Sequence, residues 1–321
     1  MDNCLYIVVP CYNEQEVLEI TSKKLKTKLN TLIHTGKVSD KSKILFIDDG
    51  SKDKTWEIIS SLCQEEDIFC ALSLSRNRGH QNALFAGLMF SKKYADLVVT
   101  IDADLQDDLD AIDSMIEKYN DGCEIVYGVR KSRKTDSFFK RFSAEGFYRL
   151  MNFMGVETIF NHADYRLMSQ KALEALSNFK EVNLFLRGII PMIGFKNDTV
   201  EYDRAPRLAG KSKYPLKKMI NFALDGITSL SIKPIRIITT IGFIVFVASI
   251  AMFIYTLVRF FSGATVIGWP SLISSIWAIG GLTLLSIGIV GEYVGKIYLE
   301  TKKRPKYIIS KIIGRYGKNE K

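Results

Sequence analysis

The stretch "TIDADLQDDLD" (Thr100–Asp110) follows directly on the apolar run Leu97-Val98-Val99, and its reading decides the fold. Five aspartates (Asp102, Asp104, Asp107, Asp108 and Asp110) crowd into eleven positions of a chain whose formal net charge is +9. Asp102 and Asp104 flank a single alanine at the end of an expected strand, so both side chains can turn toward one ligand. Two hard carboxylates plus waters suit Mg²⁺ or Mn²⁺, which usually also take phosphate oxygens. Such a cation inverts the local sign and makes an acidic loop a diphosphate site. Asp107, Asp108 and Asp110 fall where a helix is expected to start. Negative charge is favourable there by about 0.3–1 kcal/mol, so these three are read as structural.

Working outward, short β-rich runs alternate with helical stretches through residue 129. "LYIVVP" precedes a helix expected at 14–29, "KILFID" one at 54–63, "FCALSLS" one at 81–91 and "DLVVTID" one at 108–119; "CEIVYGV" follows. Continuous apolar strands alternating with helices indicate an α/β sheet, mainly parallel and covered on both faces. Ligands of such sheets sit beyond the carboxyl ends of the strands. Four polar clusters converge there: "PCYNE" (Pro10–Glu14), "DDGSKDKT" (Asp48–Thr55), "RNRGHQNA" (Arg76–Ala83) and "DADLQDD" (Asp102–Asp108). Asn13 with Glu16 has the spacing of a helix-capping pair.

Other chemistries fit poorly. No G-x-G-x-x-G follows the first strand, which argues against a dinucleotide cofactor. "GKS" (Gly210–Ser212) lacks the first glycine of a P-loop, because Ala205 holds that place, and Pro215 follows where a helix should run. The five cysteines lack metal-type spacing and read as reduced, buried thiols. With three histidines, a His-rich metal site is not expected. His34 and His162 read as structural or surface residues, while His80 fits either a helix start or the edge of a sugar site. Nothing suggests a nucleic-acid partner.

Hydrophobic residues make up 47% of the chain, and the excess is concentrated late. Residues 237–258 and 260–291 carry no charge. A membrane-crossing helix needs roughly 20 apolar residues, so the reading is two spans, 235–261 and 269–295, parted by a short loop around Gly263, Gly268 and Pro270. Basic residues flank both ends, and the intervening loop has none. Basic flanks stay cytoplasmic, which predicts a multi-pass plasma-membrane protein with both termini in the cytosol and no secretory leader. The expected organisation is a catalytic domain at 1–215, an amphipathic segment at 216–234 lying at the membrane interface, the two spans, and a basic tail at 296–321.

The motifs "VVPCYNE", "DDGSKDKT", "DADLQ", "YGVRKSR" and "ADYRLM", followed by the two apolar spans, resemble family 2 glycosyltransferases of the polyprenyl-phosphate branch. That resemblance implies a GT-A type mixed sheet, a UDP-sugar donor carrying glucose or N-acetylglucosamine, a polyprenyl phosphate acceptor and a homo-oligomer. It implies inverting transfer of one sugar, with Mg²⁺ or Mn²⁺ as cofactor. Pro10, Tyr12, Glu14 and Asp49 (or Asp48) would hold the nucleoside, and Asp102, Asp104 and Gln106 the metal and diphosphate. Arg207 and Lys211, in a mobile-loop-like "RAPRLAGKSKYP", would reach the donor phosphates. Arg130, Arg133, Arg141, Ser143 and Lys213 would take the lipid phosphate. Asp164 is the family-style base, with Arg166 orienting it. The family's usual proline after "DLQ" is replaced here by "DDLD". A polysaccharide synthase with a hydroxyl acceptor, or an inactive scaffold, are the competing readings; no Q-x-x-R-W motif is present.

Overall fold

The structure, a computed structural model, describes residues 3–131, 153–154, 162–205, 227–228, 231–262 and 269–316. Its strands are β1 (Leu5–Cys11), β2 (Lys43–Asp48), β3 (Phe69–Leu74), β4 (Leu97–Thr100), β5 (Ile125–Arg130), β6 (His162–Ser169), β7 (Asn197–Tyr202) and β8 (Ile309–Ile313). They form one sheet in the order β7-β5-β6-β4-β1-β2-β3-β8. The helices are α1 (Leu18–His34), α2 (Thr55–Glu65), α3 (His80–Ser91), α4 (Ala111–Asn120), α5 (Gln170–Leu176), α6 (Leu186–Met192), α7 (Lys233–Phe261) and α8 (Trp269–Lys302).

β1 to β4 pair in parallel, whereas β6 runs antiparallel between β4 and β5. The sheet is therefore mixed, as expected. Continuous apolar strands follow from burial on both faces. Leu5, Ile7 and Val9 of β1 pack with Leu18, Leu25 and Leu29 of α1 and Met115 of α4. Tyr6 and Val8 face the other way, toward Leu84 and Leu88 of α3 and Ile189 of α6.

One proline opens the sheet where the site lies. The Val8 carbonyl accepts from the Ile101 N–H at 3.1 Å, and the Cys11 carbonyl from the Asp49 N–H at 2.9 Å. Even-numbered residues of β1 thus face β4 and odd ones face β2. Pro10, which has no N–H, faces the β4 side two residues beyond the last pairing, Val8↔Thr100. A proline there forfeits no ladder bond, and the chain beyond β4 is free to turn away.

Helix boundaries shift in two informative places. α1 starts at Leu18, four residues later than expected, with Val17 before it and no side-chain cap. Asn13 does not cap it: its φ is 53°, and its side-chain oxygen accepts the Lys52 N–H at 2.9 Å. α4 starts at Ala111, and Asp110 ahead of it gives no side-chain cap.

The segment after α8 is more than a basic tail. Ile309–Ile313 form β8, antiparallel to β3 with Ala71 opposite Ile313. Tyr316 then packs against Phe90 and Tyr94, with ring centroids 5.2 and 5.4 Å away. The α7–α8 pair therefore ends at the sheet. Both uncharged runs are helical, in Lys233–Phe261 and Trp269–Lys302, the second continuing past residue 295. Of the described helices, Ala278–Lys302 has the length and apolarity to cross a membrane.

Gly314 ends β8 with φ +100°, and a Cβ there would stand 2.7 Å from the Phe69 carbonyl oxygen and 2.8 Å from the Cys70 Cα. Backbone cannot yield as a flexible side chain can, and a left-handed non-glycine residue adds about 1–3 kcal/mol of strain. Gly314→Ala should lower the melting temperature of the detergent-solubilised protein; an unchanged transition would mean that β8 does not dock in this register.

Candidate active site

The sheet order reverses direction between β4 and β1, the kind of switch point at which open α/β sheets bind ligands. β6 runs antiparallel to β4 with Thr100 opposite Arg166 and Val98 opposite Met168. Continuing that register past the end of β4 brings Asp102 opposite Asp164. The acidic loop and the "ADYRLM" motif thus meet because of strand pairing.

Asp164 is 7% exposed and surrounded by cations. Arg166 Nη2 donates to its Oδ1 at 2.6 Å, and Arg187 Nε to the same oxygen at 3.2 Å. Arg187 Nη2 donates to Oδ2 at 3.0 Å, and the Gln81 amide lies 3.5 Å from it. His80 Nε2 lies 3.4 Å from Asp164 Oδ2 and 3.7 Å from Asp102 Oδ1. Burial alone would raise the Asp164 carboxyl, but the Arg187 charge, the His80 bond and the Arg166 charge together hold it well below the usual carboxylate range. His80 moves the opposite way: burial lowers it, yet its bond to Asp164 and the charges of Asp102 and Asp164 leave it raised.

The loop after β4 is shaped by Leu105, whose φ of 49° is rare for a non-glycine residue. Asp102, with 40% of its side chain exposed, and the half-buried Asp104 sit on it at the crevice. Gln106 is turned elsewhere. Its amide accepts from Arg204 and lies 3.4 Å from the Ala205 carbonyl, while the Ala205 N–H donates to the Gln106 carbonyl at 2.9 Å. The start of the basic segment is thereby pinned to the acidic loop. Asp107 lies inside the site's wall, not at a helix start. Its Oδ1 accepts from the Tyr202 hydroxyl at 2.5 Å, and Arg130 Nη2 stands 3.8 Å away. Burial, with Asp102 nearby, pushes its carboxyl up to about 6.

Asp48 and Asp49 reach the same edge, where the chain itself binds their oxygens. Asp48 accepts from the Ser51 N–H at 3.0 Å and the Ser73 hydroxyl at 3.1 Å. Asp49 accepts from the N–H groups of Arg78 (2.7 Å) and Gly79 (2.9 Å), which fixes the loop ahead of α3. Tyr12 and Glu14 follow β1 beside them, with the Glu14 N–H bonded to the Thr55 hydroxyl at 2.9 Å. Arg133, Arg141, Ser143, Arg207, Lys211 and Lys213 lie outside the described residues.

Among the described residues, no group of three or more His, Cys, Asp or Glu is placed to hold a metal. The chain offers Asp102 and Asp104, which suit a hard cation whose other positions go to water and phosphate oxygens. Residue-by-residue reading missed Arg187, Gln81 and the Tyr202–Asp107 pair. Arg187 did leave a signal: it is the sole charge between Asn183 and Phe195, and an isolated charge in an apolar run implies a buried partner.

Arg166 is 0% exposed, and its Nε and Nη1 have no hydrogen-bond partner among the described residues. Removing the negative partner of a buried cation costs about 3–5 kcal/mol. Asp164→Asn should therefore destabilise the protein by that order in urea unfolding, and Arg166→Met added to it should recover part of the loss. Wild-type stability in Asp164→Asn alone would refute the buried pair.

The sequence profile of glycosyl transferase family 2 matches residues 6–177, and that of the GtrB C-terminal hairpin matches residues 233–297. An uncharacterized glycosyltransferase of Bacillus subtilis is 54% identical over 305 residues, covering 95% of this chain and 90% of its own. A prophage bactoprenol glucosyl transferase homolog of Escherichia coli is 43% identical, covering 95% of this chain and 98% of its own. The bactoprenol glucosyl transferase of Shigella phage SfII is also 43% identical, with 95% and 97% covered. With the sheet, the hairpin and the switch-point loop all inside these matches, the chain belongs to glycosyl transferase family 2.

Proposed function

We propose that the protein transfers one sugar, glucose ahead of N-acetylglucosamine, from a UDP-sugar to undecaprenyl phosphate, inverting the anomeric centre at the cytoplasmic membrane face. The observation that carries this reading is the similarity to proteins named bactoprenol glucosyl transferase, which runs through catalytic sheet and hairpin together. The product lipid would supply a glucosyl unit for cell-envelope glycans.

The hairpin supports the membrane part of the reading. β8 pairs with β3, so the chain returns to the sheet it left, as a helix pair crossing out and back requires. Ala278–Lys302 spans 25 residues at mean hydropathy 1.5. α7, at 29 residues, is about 44 Å long at 1.5 Å per residue, enough for one crossing.

Asp102 and Asp104 would hold Mg²⁺ or Mn²⁺. Such an ion, when bound, offsets the charge that develops on a departing diphosphate. The Gln106 tie to Arg204 and Ala205 supports a second cationic contribution. It holds Arg204 and Ala205 at the acidic loop, and Arg207 and Lys211, a few residues on in sequence, would contact the donor phosphates.

On the acceptor side, the argument turns on proton affinity. A carboxylate held well below its usual range is a poor general base. A hydroxyl acceptor would need a base, whereas a phosphate monoester, with a second pKa near 6, arrives largely ionised at pH 7. Asp164 is better suited to fixing His80 and Arg187, and the partly exposed Arg187 guanidinium beside it supplies positive charge that can position an anion. Arg130, Arg133, Arg141, Ser143 and Lys213 would complete the phosphate contacts. The cationic partners of Asp164 support a lipid phosphate over the hydroxyl acceptor of a polysaccharide synthase.

Purified protein in detergent, given undecaprenyl phosphate and a panel of radiolabelled nucleotide sugars, should label the lipid fraction from UDP-glucose. EDTA should abolish labelling, and Mn²⁺ or Mg²⁺ should restore it. Asp104→Asn should slow transfer by roughly 10²-fold or more, the scale of losing one preorganised charge-stabilising group. Label in a hydroxyl-terminated glycan, or equal turnover by the variant, would overturn the reading.

A further inference from the structure

The sheet end of α8 is chemically unlike the rest of the hairpin. Glu300 accepts the Val182 N–H through both carboxylate oxygens, each at 2.8 Å. Its Oε1 also accepts the Asn183 N–H at 3.0 Å and the Asn183 side-chain amide at 3.3 Å. Charge-assisted bonds of this kind are roughly twice as strong as neutral ones. Here they are all spent on one short segment, the lead-in to α6. Leu186, the first residue of α6, donates its N–H to Gln81 Oε1 at 3.1 Å, and the next residue is Arg187.

The chain just after α8 grips the neighbouring helix. Lys306 Nζ donates to the Phe179 carbonyl at 3.1 Å and stands 4.3 Å over the Phe85 ring of α3. The Tyr307 ring meets the same phenylalanine edge-on, with centroids 6.3 Å apart. α3 brings His80 and Gln81 to Asp164, and α6 brings Arg187. The end of the hairpin thus holds both helices whose side chains surround Asp164. A clamp needed only to anchor the hairpin could sit anywhere on the sheet's outer surface. This one sits four residues ahead of Arg187.

We propose that Glu300 is a positioning residue for the transfer reaction: by fixing Val182 and Asn183 it sets Arg187 against Asp164, coupling the hairpin to the acceptor side of the site. The inference rests on the lipid-phosphate reading above for what is positioned, but the clamp itself can be tested without any substrate.

The experiment uses the full-length protein in detergent, comparing wild type with Glu300→Gln, Arg187→Lys and the double variant. Hydrogen exchange should speed up by about tenfold or more in residues 182–192 of Glu300→Gln, leaving β1 to β4 protected as in wild type. In the undecaprenyl-phosphate assay, kcat should fall roughly tenfold with KM for the UDP-sugar unchanged, since slight misplacement of a positioning group costs rate before binding. The double variant should be no slower than Arg187→Lys alone, because both changes act through one group. Asn183→Asp, which sets a like charge against an intact Glu300, should reproduce the exchange and kcat effects if Glu300→Gln yields little folded protein. Wild-type exchange in 182–192 overturns the clamp whether or not the protein transfers sugar. Fast exchange with wild-type kcat, or independent losses in the double variant, overturns the positioning role while leaving the transfer reading intact. Absence of transfer by wild type would instead sink the functional reading, with the exchange comparison still deciding the clamp.

Discussion

Asp164 is the constraint on which the site is built. A carboxylate with 7% exposure is held by two guanidinium groups and an imidazole that come from β6, α6 and α3. Burying such charges costs several kcal/mol per ion before any attraction is gained. The arrangement is tolerable because each member needs the others: among the described residues, fully buried Arg166 has Asp164 as its one hydrogen-bonded counter-ion. The cluster specifies geometry more than it adds stability. It fixes which end of β6 lies beside β4, and so which acid faces Asp102.

That register divides the crevice by charge. On one side stand Asp102 and Asp104, on a loop bent by the left-handed Leu105. On the other stand Arg187, a fixed cation, and His80, whose imidazole Asp164 and Asp102 shift toward the protonated form. Pro10 lets the two halves part, since its missing N–H falls where β4 has ended. An anionic donor bound through a cation and an anionic acceptor bound by cationic side chains would then lie on opposite sides of His80, which stands 3.7 Å from Asp102 and 3.4 Å from Asp164. On the proposed function, this separation is what two phosphate-bearing substrates require.

Much of this was legible in the chain, because it is local. The apolar runs gave β1 to β5, and the polar clusters after them gave the loops that converge. "DADLQ" marked the acidic loop, and the two uncharged runs marked α7 and α8. What was not legible depends on partners far away in sequence. The Asn13–Glu16 spacing suited a cap, but in the loop after β1 Asn13 is left-handed and its side chain accepts the Lys52 N–H from the loop after β2. Asp107 looked like helix-start charge, yet Tyr202 and Arg130 claim it. Arg187 meets Asp164 only because α6 packs on α3, and nothing near "LFLRGI" names that partner. "IISKII" in a basic tail is a strand only once β3 offers an open edge.

β8 also changes what the hairpin means. A pair of helices hanging from one linker could tilt without consequence for the sheet. Tethered at β8, with Glu300 bound to the lead-in of α6, the pair cannot move far without pulling on α6, which brings Arg187 to Asp164. The polyprenyl chain of the proposed acceptor would lie beside those helices, and its phosphate would meet His80 and Arg187. One rigid connection would then set both where the lipid lies and where its charge is received. Depth in the membrane and geometry at the reacting phosphate would become a single mechanical variable, set where the half-buried Glu300 accepts from the backbone amides of Val182 and Asn183.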